Sequence, residues 1–337
     1  MNTVLNKLWL VCLAGLLASC SLQSNNLPNA TGRQGEIIIV IDRTLWTGAC
    51  GDTIRHYLAF PIDGLPADEP VFTLLQQQEL RGTTQNARNL IIVNIDPASP
   101  KSSLGYQNDV YAKGQLAFNI TAPNADSVVA CVNRYKELLL DRFLAKDRND
   151  YIRYYQNVAD NSFSQKTQEK FQVSITIPKE YSLAMEKDDF LWFTREEKDM
   201  ILGILMWKEP YTSTEQLTED RLLAQMDAMT KQYITGKTAG SYMATVRKLP
   251  AYEEAPEIAL PPTVKQFTNN DTYTVQLNGL WQMEHEPMGG PYVSLSIVDA
   301  QRNQIVTGMG FVFFPRKEKR NYVRMLEAIL YTMKPVQ

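Results

Sequence analysis

Histidine is almost missing from this chain, with two in 337 residues, and cysteine stops at four. There is no Cys-x-x-Cys, and His56 and His285 are remote from each other in sequence. A transition-metal centre therefore lacks its usual ligands, and no metal or cofactor is expected. The Gly-x-Ser-x-Gly elbow of the serine hydrolases is also missing. Neither sign of charge dominates, with 34 basic against 37 acidic side chains. Nucleic acid is accordingly not an expected partner, and neither is a broadly anionic surface. Long apolar runs are scarce as well. Beyond the first twenty residues the longest is Ile201 to Trp207, far short of the roughly 20 residues that span a bilayer.

What is present begins at the N-terminus. Lys7 precedes an apolar run from Leu8 to Leu17, followed by Ala18, Ser19 and Cys20. A basic start, a short apolar stretch and small residues before a cut are the parts of a secretion signal. The cysteine directly after the small residues resembles a lipoprotein signal, which implies cleavage before Cys20 and acylation of Cys20. Two or three acyl chains would hold the protein to a membrane, since each buried methylene contributes roughly 0.8 kcal/mol. A plain secretory signal with an incidental cysteine is the alternative. Residues 1–19 contain one lysine and no acid, so the remaining chain has 33 basic and 37 acidic side chains, a net charge of −4.

The expected organisation is a signal peptide over 1–19, a polar tether over 20–34, an N-terminal α/β half over 35–160 and a C-terminal α+β half over 168–337. Glu36 to Asp42 and Asn89 to Asp96 are continuous β-branched runs, the pattern of strands covered on both faces. After Pro123, Val128, Val132, Tyr135, Leu139 and Phe143 recur at helical spacing. Glu196 to Trp207 is apolar enough for a buried helix. Three runs, around Tyr273 to Leu277, Val293 to Ile297 and Gly310 to Phe314, suggest a meander, and a helix is expected over Glu318 to Met333. The fold class is thus α+β, with mixed or antiparallel sheets packed with helices in two α/β-type halves.

Candidate sites are few. Asp42 and Asp96 each end a buried strand, and on parallel neighbouring strands they would meet at one sheet edge and could bind a cation or share a proton. Alternatively, each caps its own turn. Cys50 and Cys131 either form a disulfide, in a compartment that permits one, or are two small buried hydrophobes. Gly236-Lys237-Thr238 echoes a phosphate loop but lacks the earlier glycine and reads better as a helix C-terminal glycine. Glu284-His285-Glu286 reads as an exposed turn. The basic run Arg316, Lys317, Lys319, Arg320 and Arg324 reads as a solvated helix face.

Several of these segments together resemble a family of Bacteroidota lipoproteins grouped as domain of unknown function 4837. The resemblance rests on Leu27 to Gly32 leading into Gly35-Glu36, on Asp42 with Trp46, and on Leu65-Pro66 with Glu69-Pro70 and Phe72. It extends to Arg88-Asn89, Gly279-Leu280-Trp281, Gly289-Gly290-Pro291 and the closing Gly310 to Tyr322. It implies an envelope lipoprotein and brings no activity with it. Ser21 to Asn26 is uncharged, unlike the acidic stretch of surface-exported lipoproteins in this phylum, so a periplasm-facing position on the outer membrane is expected. The functional expectation is a non-catalytic binding or scaffold protein whose partners are the membrane, through Cys20, and an envelope protein or glycan. An envelope hydrolase using Asp42 and Asp96 is the alternative.

Overall fold

A computed structural model describes residues 27–249 and 256–336. The signal segment and residues 20–26 of the tether, Cys20 included, lie outside the described residues. The fold is α+β.

The β-branched runs do form strands with both faces covered. β1 (Glu36–Val40), β2 (Thr73–Gln77), β3 (Asn89–Ile95) and β5 (Leu116–Ala122) are parallel, and β4 (Ser103–Asn108) adds an antiparallel edge, in the order β2-β1-β3-β5-β4. Ile37 and Ile39 face a core shared with two helices, while Ile38 packs towards Ala87, Leu90 and Ala117 on the other side. That two-sided burial is why the run does not alternate.

After β1 the chain makes two short helices, α1 (Arg43–Thr47) and α2 (Ala49–Leu58). They meet so closely that a Cβ at Gly51 would lie 1.8 Å from the Trp46 carbonyl oxygen. The missing side chain of Gly51 allows one helix to abut the next.

α3 (Ala125–Val158) is the spine of the molecule. Its 34 residues are capped by Asn124, whose side chain accepts from the Ser127 amide, and they bend at Tyr135. The first part lays Val128, Val132, Leu139 and Phe143 on the parallel sheet. The last part carries Tyr151 and Tyr155 into the core of the second half. One helix is therefore shared by both halves.

α4 (Asn161–Phe171) leads through the two-residue β6 (Val173–Ser174) into an antiparallel sheet of eight strands. Its path is β10 (Met243–Val246), β14 (Thr272–Met283), β15 (Gly289–Asp299), β16 (Gln304–Phe313), β9 (Met200–Pro210), β8 (Phe190–Glu197) and β7 (Ser182–Glu186). β13 (Thr263–Asn269) also pairs with β14. α5 (Glu219–Tyr233) covers one face and α6 (Arg320–Leu330) the other.

The segment expected as a buried helix, Glu196 to Trp207, is instead the end of β8 and most of β9. β9 lies between β8 and β16 with both faces covered, so Leu202, Ile204, Leu205, Met206 and Trp207 are all buried without alternation. An unbroken apolar run does not by its period distinguish this strand from a helix.

Cys50 and Cys131 are free thiols, both buried in the core under the parallel sheet. The Cys50 thiol sits 3.4 Å from the carbonyl of Ala125, at the start of α3. Cys131 lies six residues further along α3, and the two thiols are not bonded to each other. Burial pushes both thiols above their ordinary pKa.

Candidate functional site

β1 and β3 are parallel neighbours, with Val40 opposite Ile92. The strand order reverses between them, so Asp42 and Asp96 flank the crevice where open parallel sheets often bind ligands. Each carboxylate is nevertheless turned onto its own backbone. Asp42 Oδ1 accepts from the Thr44 amide at 2.7 Å and from its hydroxyl, and these bonds hold the Asp42 carboxyl below its usual pKa. Asp96 accepts from the Ala98 amide at 3.0 Å and the Ser99 hydroxyl at 3.4 Å. Both acids thus cap turns, one of the two roles the sequence allowed.

The Gly236-Lys237-Thr238 segment is no helix terminus, because α5 ends three residues earlier at Tyr233. The Thr238 amide donates to Glu286 Oε1 at 2.7 Å, and a Cβ on Gly236 would lie 2.3 Å from that oxygen. Thr238, Ser241 and Lys237 together pull the Glu286 carboxyl below its ordinary pKa. The loop holds an anion after all, one from its own chain. His285 stays exposed in the turn with φ 66°. Among the described residues no group of three or more His, Cys, Asp or Glu is placed to hold a metal.

The densest polar cluster joins the two halves, and the sequence reading placed part of it wrongly on the surface. Lys319, Arg320 and Arg324 are buried, not solvated. Glu69, from the loop before β2, accepts the Lys319 amide at 2.7 and 2.9 Å and the Arg320 amide at 2.8 Å. A carboxylate from the first half thereby caps the first turn of α6 in the second, where unpaired amides and the helix dipole both favour an anion. Arg320 donates to the Pro70 carbonyl at 2.7 Å and reaches the Thr73 hydroxyl at 3.3 Å. The basic run is inside because its donors have acceptors in the other half.

One turn further along α6, Arg324 pairs with Asp147 of α3 at 3.1 Å and donates to the Val71 carbonyl at 2.6 Å. Its guanidinium also lies 4.7 Å from the centre of the Phe72 ring. Asp147 is 1% exposed and accepts the Gly35 amide at 3.0 Å and the Asn89 side chain at 3.3 Å. Gly35 has φ 76°, and a Cβ there would lie 3.1 Å from both guanidinium groups. Only glycine fits that corner. Burial pushes the Asp147 carboxyl up against the pull of Arg324, and burial likewise lowers Arg324.

Beside this cluster is a cavity of about 310 Å³ between the halves. Phe60, Leu65, Leu140, Leu144 and Val323 give it apolar walls. Lys265, Gln276 and Asn278 contribute polar groups from β13 and β14. Arg148 borders it too, 4.1 Å over the Tyr331 ring with its Nε 3.8 Å from Glu327. Burial pushes the Tyr331 phenol up to about 12, so it remains a donor, here to Gln276 Oε1 at 2.9 Å. Lys265 is exposed and has no ion-pair partner among the described residues. Asp42 and Asp96 do not line this cavity.

Two domain models match in tandem. A domain of unknown function (DUF8532) covers residues 30–156, and a second model covers residues 160–332. No curated protein matches the chain. Among solved structures, the human StarD13 (DLC2) lipid transfer and protein localization domain aligns over 52% of this chain and 96% of its own length. Its 10% identity and TM-score of 0.24 are too low to support an argument about fold or function. Of the segments on which the family resemblance rests, those from Gly35 to Asn89 fall within residues 30–156 and so belong to the first of the two domain models, while Gly279 to Trp281, Gly289 to Pro291 and Gly310 to Tyr322 fall within residues 160–332. Over its second half, and so over more than half of its length, the sequence matches the domain of unknown function (DUF4837), and the chain belongs to that family.

Proposed function

We propose that this chain is a non-catalytic binding protein of the bacterial envelope, tied to the outer membrane by acyl groups on Cys20, facing the periplasm and holding an amphiphilic group in the junction cavity. The observation that carries the binding reading is the cavity itself. It lies between two packed halves and sets the apolar side chains of Phe60, Leu65, Leu140, Leu144 and Val323 beside polar and charged ones from both halves, exposed Asp63 among them, a mixture in which an amphiphile can place both its parts. The conspicuous charges nearby, Asp147, Arg324, Glu69 and Arg320, are occupied in joining the halves. Lys265 is the group available to an acidic head, and Leu140, Leu144 and Val323 to an apolar body. The reading of an envelope protein or glycan as partner fits if it presents such a group.

The anchor is tested by fractionation. Wild-type protein is expected with membranes and the Cys20→Ser variant in the aqueous fraction; a variant that still sediments with membranes overturns the anchor. The pocket is tested with 8-anilino-1-naphthalenesulfonate, which combines apolar rings with one sulfonate. Saturable binding at one site is expected, weakened about fivefold by Lys265→Glu, roughly the effect of one surface charge near an anion. Leu144→Trp, which fills the space, should abolish it. Binding indifferent to both changes would place the probe elsewhere and remove the support for this pocket.

A further inference from the structure

A second concavity, of about 700 Å³, opens on the side of the junction where the N-terminal segment enters the fold. Arg33, Gln34, Arg316 and Lys317 line it together with the rings of Phe314 and Tyr322. Arg33, Arg316 and Lys317 are exposed and none has an ion-pair partner among the described residues. The acids nearby are few. Glu318 is the one acid that lines the groove, exposed and without an ion-pair partner among the described residues, and Glu36 is engaged by the Arg33 amide at 3.2 Å. Arg320 closes the floor, fixed by Pro70 and by Asn321 Oδ1 at 3.1 Å. The buried side-chain oxygen of Gln34 has no hydrogen-bond partner and so can accept from a hydroxyl. Phe314 and Tyr322 are half-buried and packed edge to face with centroids 5.5 Å apart. Such rings suit the boundary between a polar surface and an apolar one.

We propose that this groove binds the phosphate headgroup of an anionic lipid and thereby sets this face of the protein against the bilayer. The orienting part rests on the anchoring reading above. Cys20 and Arg33 are thirteen residues apart in sequence, a span of at most about 45 Å and typically about 20 Å. The groove is therefore tied near the surface to which Cys20 would be attached. Three cations complement a phosphate, the Gln34 oxygen complements a headgroup hydroxyl, and the rings complement the glycerol and upper acyl region. The net negative charge of the whole chain, which argues against broad attraction to anionic surfaces, leaves this local arrangement untouched, because screening limits each charge to about 8–10 Å.

The test uses the chain from residue 21 onwards, which retains every described residue and lacks Cys20, so its outcome is independent of acylation. Co-sedimentation with phosphatidylcholine vesicles, with and without phosphatidylglycerol, is the measurement. Binding is expected only with phosphatidylglycerol and should weaken with salt. Arg316→Gln with Lys317→Gln should lower the affinity about 30-fold, each basic side chain near such a surface contributing roughly fivefold. Lys101→Gln, at the opposite end of the parallel sheet, should leave it unchanged. Equal binding to both vesicle types, or full affinity in the double variant, overturns the proposal. So does displacement from the vesicles by submillimolar inorganic phosphate, which would identify a soluble anion as the ligand.

Discussion

Asp147→Ala is expected to destabilise the protein by about 3–5 kcal/mol, the cost of leaving a buried guanidinium without its partner. Arg324 is 8% exposed, so water cannot replace the lost carboxylate. The Gly35 amide and the Asn89 side chain lose an acceptor in the same step. The urea midpoint of unfolding is the measurement, and a loss below about 1 kcal/mol would show that the pair is not what joins the halves. Asp147→Leu combined with Arg324→Met gives the complementary result. With both charges gone no desolvated ion remains, and the double variant should recover much of what either single change loses. If the two losses simply add, the groups do not act as a pair.

The junction also shows which features a sequence reveals. The stripe on α3 runs through Val132, Leu139 and Phe143 at positions that face the core, and the next step of four is Asp147. An acid in register with an apolar stripe marks a buried carboxylate, and that signal was present to be read. Arg320 and Arg324, four apart on α6, were legible as one face of a helix. Whether that face meets water or protein depends on Glu69 and Asp147, which are 251 and 177 residues away in the chain. Periodicity is local information, and a partner at that separation leaves no mark on it. The same limit applies to β9, whose neighbours on both sides make it a central strand, and to the glycine of Gly236-Lys237-Thr238, whose requirement comes from Glu286. The strands β1 and β3, the capping roles open to Asp42 and Asp96, and the helix after Pro123 depend on residues close in sequence, and these were recognisable.

Gly310→Val should have the second large effect, for a reason that links the sheet to the junction. Along β16 one face reads Val306, Gly308, Gly310 and Val312, so the two glycines open a slot between two valines. α6 lies in that slot. A Cβ on Gly310 would be 2.7 Å from Leu326 Cβ, and one on Gly308 would be 2.7 Å from the Met333 sulfur. The Leu326 contact is at the root of the side chain, so a rotamer change does not relieve it and the helix itself must lift. Overpacking alone costs about 1–3 kcal/mol. Because α6 also carries Arg320 and Arg324 into the first half, lifting it loosens the junction as well, and the expected loss lies at or above the upper end of that range. Leu326→Gly by itself should cost about 3–6 kcal/mol, from the space it leaves and the weaker helix propensity of glycine. In the Gly310→Val, Leu326→Gly pair no Cβ stands opposite the new side chain and its methyl groups occupy the vacated space, so the double variant should be at least about 1 kcal/mol more stable than the sum of the single losses predicts. Additive losses would mean that α6 does not depend on this slot for its position, and the link from sheet to junction would fail.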